Sequence, residues 1–288
     1  MPATQLIKTR IRSVKSTRQI TKAMELVAAS KLRRAQAAVA RTADYARAAR
    51  ELLTFLRQSG ETIDVALYQQ RRVKKRLYIV VASDRGLAGA YNSNVFKAFA
   101  RAAKADQAEG IDVAVISIGR QAGQFVARLK GVETVGSYTN FPDEPDASSL
   151  QPIIGTALEQ FISGEVDAVE VIFTEYVSTL VQKAGGMHLL PAGFEDVEVS
   201  EDVKIADFEP SAEAVLQTVT IRMLESQLTQ AIYSAAASEY SMRMMAMKNA
   251  TDNASGIIED LTLEMNKARQ AYITQELAEI TGGAEAMK

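Results

Sequence analysis

The residues best placed to do chemistry are Ser83-Asp84-Arg85-Gly86-Leu87-Ala88-Gly89-Ala90-Tyr91-Asn92, a glycine-containing stretch directly after an apolar run. A glycine-rich strand-to-helix loop is where α/β folds cradle phosphates, because the backbone N–H groups there point at an anion. This loop has neither the GxGxxG spacing nor the lysine of GxxxxGK[ST]. Its spacing therefore favours a structural loop, with glycines permitting tight backbone approach, over a nucleotide site. Gly119-Arg120-Gln121-Ala122-Gly123 carries a weaker form of the same signal. Acid–base catalysis needs paired carboxylates in a cleft, and Asp84 alone is not a pair. Cysteine is absent and His188 is the single histidine. Disulfides and thiolate chemistry are thereby excluded, and a histidine-based metal site or a serine–histidine relay is disfavoured, leaving His188 a structural role. Met242, Met244, Met245 and Met247 read as core filler rather than a ligand box. No catalytic group, metal or cofactor is expected.

The elements that would have to position these residues are of two kinds. Between Ala3 and Ser59 there is neither glycine nor proline, and between Ser211 and Thr281 there is no proline and one glycine, Gly256. As helices these segments would span roughly 85 and 105 Å if straight. That length predicts a coiled coil, and each segment needs a long partner, for which the other is the simplest choice. A spacing of four and three runs from Ile7 through Ile11, Val14, Arg18, Thr21, Glu25, Ala28, Leu32, Ala35, Val39, Thr42, Ala46, Ala49, Leu53 and Leu56, and eleven of these fifteen positions are apolar. The polar group Arg18, Thr21 and Glu25 predicts a place where the seam leaves its helical partner or meets another protein. Pro210-Ser211 suits a helix start with a serine cap. The closing seam reads Ile221, Leu224, Leu228, Ala231, Ala235, Met242 and Met245, then Leu263, Ile273, Leu277 and Ile280. A drifting stripe of Ala246, Ala250, Ile257, Leu261, Met265 and Ala268 lies between.

The middle changes period. Apolar runs at 77–83, 113–119 and 168–174 read as buried parallel strands, separated by helical stretches near 93–109, 120–130 and 148–163. Phe141 to Pro145 reads as a loop, Gly185-Gly186 as a turn, and Met187 to Pro191 as an edge strand. The expected fold class is α/β: a long antiparallel coiled coil of the N- and C-terminal helices with an inserted Rossmann-like α/β domain. The expected boundaries are 1–72, 73–210 and 211–288.

With 288 residues, 47% of them hydrophobic, the chain can bury a substantial core. A net charge of −2 conceals an asymmetry. Residues 1–58 hold thirteen Lys/Arg against three acids, a net of +10 that leaves −12 for the remainder. A basic helix points to nucleic acid, a membrane surface or an acidic protein loop, or else to a solvated face. Its many alanines, its lack of interleaved aromatics and the acidic chain as a whole argue against DNA. A face of alanine and valine argues against an amphipathic membrane helix. No run of 18 apolar residues spans a bilayer, and no apolar region followed by a cleavage site marks a secretory signal.

Three segments carry a family resemblance. Residues 7–36, from Ile7-Lys8-Thr9-Arg10 to Arg33-Arg34-Ala35-Gln36, resemble the opening helix of the gamma subunit of F-type ATP synthases. Ser83 to Asn92 is similar to that family's SDRGLCGxxN motif. Met245 to Ala254 and Ile273 to Ile280 resemble its closing helix. The likeness covers essentially the whole chain.

The resemblance implies a central rotary shaft, one copy per complex, that couples proton translocation to ATP synthesis or hydrolysis and catalyses nothing itself. It implies as partners the alpha and beta subunits of the catalytic ring, the epsilon subunit and the membrane c-ring, and no nucleic acid. The implied location is peripheral, on the cytoplasmic side of the cell inner membrane. By motif position, contacts with the acidic lever loops of beta fall on Arg10, Met24, Arg33 and Arg34 in the first helix. In the last helix they fall on Arg243, Arg269, Gln270, Thr274 and Glu276. Contacts of the foot with epsilon fall on Phe208 and Glu209. Ala88 stands where many members carry cysteine, and Gln19 and Leu26 replace commonly basic and methionine positions. No cysteine-bearing insert lies near 194–203, so the light-linked redox switch of chloroplast-type members is not expected. The alternative from the residues themselves is a standalone α/β module whose coiled coil dimerises and presents a basic face to nucleic acid.

Overall fold

A computed structural model describes the chain except residues 1, 59–64, 143–144, 146, 194–196, 201–202, 204–207, 210 and 287–288. The elements run α1 (Pro2–Gln58), a 3-10 turn (Ala66–Tyr68), β1 (Lys75–Val81), α2 (Tyr91–Ala108), β2 (Asp112–Ile118), α3 (Arg120–Val126), β3 (Val132–Tyr138), α4 (Ala147–Ile162), β4 (Ala168–Tyr176), β5 (Gln182–Leu190) and α5 (Ala212–Ala286). Their contacts group into two compact units, Ala29–Met242 and Met1–Ala28 with Arg243–Lys288.

In the first unit five strands form one sheet in the order β3-β2-β1-β4-β5. β1, β2, β3 and β4 are parallel and β5 runs antiparallel to β4. β1 and β2 are near-continuous apolar runs because the sheet is covered on both faces, as a parallel sheet must be. On one face Leu77, Ile79, Ile116 and Val171 pack against α4, the second half of α1 (Ala49, Leu53, Leu56) and the first half of α5 (Leu216, Leu224, Leu228, Ala231, Ala235). On the other face Tyr78, Val80, Val113 and Val115 pack against Val95 and Phe99 of α2 and Ala122 and Val126 of α3. The long helices thus form one layer of a Rossmann-like sandwich, and the α/β class with terminal helices is observed.

Several local expectations change. β3 carries no apolar run that would mark it as a strand; its residues are half-buried or exposed at the sheet edge. Gly185 and Gly186 lie within β5 rather than in a turn, opposite Phe173 and Ile172. The reversal instead falls at 177–181, which contains no glycine. Glycine suits 186 because an added Cβ would lie 3.2 Å from the Ile172 side chain. α3 ends at Val126, shorter than the expected 120–130. Ser211 does cap α5: the Ala214 N–H donates to its Oγ at 3.2 Å.

In the unit of residues 1–28 and 243–288 the two helices run antiparallel, with Ile11 packed against Ile258 and Leu261 and flanked by Ile7, Val14 and Met265. Thr21 does not leave the seam. It is buried, and its hydroxyl meets that of Thr251 at 2.7 Å across the pair. Thr21 is therefore held inside the seam by a hydroxyl contact across it, while Arg18 and Glu25 are half-buried. Thr21→Val should cost about 0.5–1.5 kcal/mol, the ordinary net worth of such a bond, read as a lowered melting temperature of the full chain. Leu263, Ile273, Leu277 and Ile280 of the expected seam are exposed, as is Ile257 of the drifting stripe. The buried line follows Ala254, Ile258 and Leu261. Around Ile257 and Leu263 the slip arises because a straight helix of period 3.6 rotates away from a seam counted at 3.5; from Arg269 to Thr281 every residue is exposed, so no face of α5 is covered there.

Candidate functional site

The loop after β1 is closed on itself. The Ser83 N–H donates to Asn92 Oδ1 at 3.1 Å, and the Ser83 hydroxyl reaches the Arg85 carbonyl at 2.7 Å. Asp84 Oδ1 accepts the backbone N–H groups of Arg120 and Asn140, each at 2.9 Å, tying the ends of β1, β2 and β3 together. At Gly119 (φ 92°) an ideal Cβ would lie 2.0 Å from the Ala82 carbonyl oxygen. The glycine in the second motif thus permits two backbones to touch. In a sheet of this order ligands bind where connections diverge, outside the carboxyl ends of β1 and β4. There α5 intervenes: Ser238 Oγ donates to the Thr174 carbonyl at 3.1 Å, and Met242 packs against the cluster that holds Ala88, Tyr91 and Ile172. The motif's polar groups are spent on the fold. His188 is exposed, with Nε2 3.1 Å from the Pro191 carbonyl oxygen.

A charged network stiffens the same unit. Arg76 of β1 lies 2.9 Å from Asp106 Oδ2 and pairs with Glu170 of β4, and the Tyr78 hydroxyl donates to Asp106 at 2.6 Å. Burial first, and then that bond, push the Tyr78 phenol far above its ordinary value. Three cations of the basic run 71–76 thereby have structural duties: Arg76 here, Lys75 with Glu133, and Arg71 bonding the Phe161 carbonyl.

What remains for function is the surface of the long helices. In residues 5–28, Lys8, Arg10, Arg12, Lys15 and Lys22 are exposed, Arg18 is half-buried, and Glu25, paired with Lys22, is the one acid. On α5 from 249 to 281 the charges are mostly acidic: Asp252, Glu259, Asp260, Glu264, Glu276 and Glu279 against Lys267 and Arg269, all exposed. Between these charges stand uncovered apolar side chains, Leu6, Ile20, Leu26 and Val27 on α1 and Leu263, Ile273, Leu277 and Ile280 on α5, each roughly half exposed or more. Large apolar residues left out in such numbers mark a protein interface.

The residues singled out by motif position are distributed unevenly over this surface. Arg10, Arg33, Arg34, Arg269, Gln270, Thr274 and Glu276 are exposed, and Met24 is half-buried. Thr274 Oγ1 donates to the Gln270 carbonyl at 2.9 Å, so its hydroxyl is engaged by its own helix. Glu276 stands beside Tyr272, and its negative charge raises the phenol pKa above the ordinary value. Arg243 differs from the rest: it is 9% exposed and offers little surface. Phe208 packs against the core with its ring 6.0 Å from that of Phe55, whereas Glu209 is exposed. Sequence reasoning missed Glu51, whose Oε1 accepts the Ser200 N–H at 2.7 Å. The Ser200 side chain and backbone bonds lower the pKa of this carboxylate and dock the segment before α5 onto α1.

Residues 3–287 match the family described as ATP synthase. The chain is 41% identical over 282 residues to the ATP synthase gamma chain of Stenotrophomonas maltophilia (strain R551-3), covering 98% of each. It is 40% identical, with the same coverage, to that of Xanthomonas oryzae pv. oryzae (strain PXO99A). Among solved structures it resembles a chain of the Euglena gracilis mitochondrial ATP synthase (OSCP, F1 and c-ring, rotational state 3), with a TM-score of 0.66 and 19% identity over 99% of this chain and 95% of that one. It also resembles one from the Tetrahymena thermophila mitochondrial ATP synthase central stalk and c-ring, with a TM-score of 0.62 and 20% identity over 80% of this chain and 99% of that one. None of these likenesses favours a standalone nucleic-acid module. With full-length identity of this order to named gamma chains, a matching fold and the three motifs in their places, the chain belongs to the ATP synthase gamma-chain family.

Proposed function

We propose that the chain is the rotating central shaft of an F-type ATP synthase, coupling proton flow through a membrane ring to nucleotide chemistry at sites on other subunits. The observation that carries the reading is the two-sided surface of the helical pair in residues 1–28 and 243–288, cationic on α1 and mostly acidic on α5, with apolar side chains uncovered. Identical nucleotide sites ranged around such a body meet different faces of it. Each face biases one conformation, and turning the body exchanges the biases. Moving a site from 1:99 to 99:1 takes on the order of 5.5 kcal/mol of differential contact. The chain supplies contacts and leaves catalysis to its partners.

We assign Arg10, Met24, Arg33 and Arg34 of α1 and Arg269, Gln270, Thr274 and Glu276 of α5 to contacts with the beta subunits. The cations are free to meet acidic loops, which favours fast and correctly registered association. Arg243 is left out of that set because it is buried and offers little surface. Phe208 anchors the foot segment to the core while Glu209 presents toward epsilon and the c-ring. Among the described residues no helix is long and apolar enough to cross a membrane. We place the chain at the cytoplasmic face of the cell inner membrane, held there by the ring.

Purified alone, the chain should hydrolyse no ATP and bind it no more tightly than about millimolar. Mixed with alpha and beta subunits it should enter a complex in one copy, counted by native mass spectrometry, and raise ATPase activity. Tight nucleotide binding by the free chain, or failure to enter such a complex, would sink the reading.

A further inference from the structure

The outer face of α2 and α3 carries charge that nothing around it takes up. Lys97, Arg101 and Lys104 recur at steps of four and three along α2, so they share one helix face, and all three are exposed. Arg128 and Lys130, exposed after the end of α3, border the same face. Two contacts place them there. Phe96 stacks on Phe125 with ring centroids 4.2 Å apart, and Gln107 Nε2 donates to the Gly131 carbonyl at 3.3 Å. None of these five cations makes an ion pair among the described residues. Of the acids near α2, Asp106 is buried against Arg76, and Glu109 and Asp112 lie past the end of the helix. Phe96 and Phe125 are half-buried on the cluster beneath them, so the cations border a strip of aromatic surface.

The distal part of α5 is the converse of that surface. Ile273, Leu277 and Ile280 fall four and three apart on one face and are 47%, 58% and 67% exposed. Glu276 flanks the stripe and Glu279 follows on the same side, both exposed. Residues 270–281 contain these two acids and no base. An apolar stripe at this spacing is how a helix anchors in a groove on another protein. Here the stripe is edged by carboxylates, and the aromatic strip between α2 and α3 is edged by cations.

We propose that residues 272–280 of α5 in one copy of the unassembled chain dock on the α2–α3 face of a second copy. Leu277 and its neighbours cover Phe96 and Phe125 while Glu276 and Glu279 meet the cations. The occupant is a second copy because the chain itself carries a segment that matches the face in charge, apolar spacing and helical form. Each copy has one such segment and one such face, so the contact is heterologous and repeats as copies are added. The inference goes beyond the central-shaft reading and does not depend on it, since it concerns the chain before any other subunit covers α5.

Sedimentation velocity of the purified full chain tests it. The weight-average mass should rise with protein concentration and fall as salt is added, because the paired charges are at the surface. Two variants reverse the charges: Lys97→Glu/Arg101→Glu/Lys104→Glu on the face and Glu276→Lys/Glu279→Lys on the helix. Each alone should weaken self-association by about tenfold or more, and an equimolar mixture of the two should recover it, since each offers the sign the other lacks. Recovery also shows that both variants fold. A chain that stays monomeric at every concentration, or a mixture no stronger than the separate variants, would overturn the proposal. A photoreactive residue at Leu277 on isotope-labelled chain, mixed with unlabelled chain, locates the contact. Crosslinks should join labelled to unlabelled peptides within residues 96–130; crosslinks confined to one chain, or to other segments, would overturn it as well.

Discussion

Asp106→Ala is expected to destabilise the sheet-bearing unit by about 3 kcal/mol, read as a roughly hundredfold rise in hydrogen exchange at β1 and β4 amides. The carboxylate is 6% exposed and takes both the Arg76 guanidinium and the Tyr78 hydroxyl. Deletion leaves a cation with half its compensation and a buried hydroxyl with no acceptor, and each loss carries a desolvation penalty. Glu170 still faces Arg76, which keeps the cost at the lower end of the range for a broken buried pair. Tyr78→Phe removes one bond and should cost only about 1 kcal/mol. Equal effects from the two variants would mean that the ion pair contributes nothing beyond the tyrosine bond. Hydrogen exchange suits the question because α1 and α5 extend across two units and a single global transition is not assured.

The largest functional effect should come from tying the shaft to the ring. The chain has no cysteine, so Arg33→Cys introduces a unique thiol on an exposed helix face. Paired with a cysteine in the facing loop of beta and oxidised, it should lower steady-state ATPase activity by roughly tenfold or more, because each turnover requires the shaft to leave one site for the next. Reduction should restore the activity. Before oxidation the variant should hydrolyse ATP at close to the parental rate, since one exposed cation at an interface contributes mainly to encounter. A complex that keeps its multi-turnover activity while fully crosslinked would defeat the rotary account. An uncrosslinked variant that is already inactive would instead make Arg33 a contact the ring cannot do without.

The strands β1, β2 and β4 and the two long helices were legible because each obeys one burial rule over many residues. β1 and β2 are covered on both faces and so are near-continuous apolar runs, and α1 and α5 carry no proline beyond the first helical position. β3 was not legible, since an edge strand with half-exposed residues has no periodic apolar signature. The reversal at 177–181 has no turn signature, and Gly185-Gly186 mimics one downstream of it, because its backbone is satisfied by a glutamine and by a serine distant in sequence. The exposure of Leu263, Ile273, Leu277 and Ile280 was hidden for a different reason. A side chain awaiting another subunit and one buried in a seam have the same composition, and only the partner helix's position separates them. Asp106 carried a faint signal. A carboxylate in the last turn of a helix opposes the dipole, so it needs a cation from elsewhere in the chain.

By itself the sequence determined the two long helices, the parallel sheet encoded between them and, through three motifs in order, the family. These follow from local periodicity and residue type, which need no knowledge of what lies across the fold. The tertiary structure alone decided which charges are free and which are spent. Arg33 is available and Arg76 is not; Asp84 ties three strand ends; Ser234, Ser238 and Ser241 of α5 bond the backbone of β4 and of the reversal after it. Pairing of this kind depends on groups brought within about 3 Å from positions tens or hundreds of residues apart. Spacing along the chain does not encode that distance, and packing does.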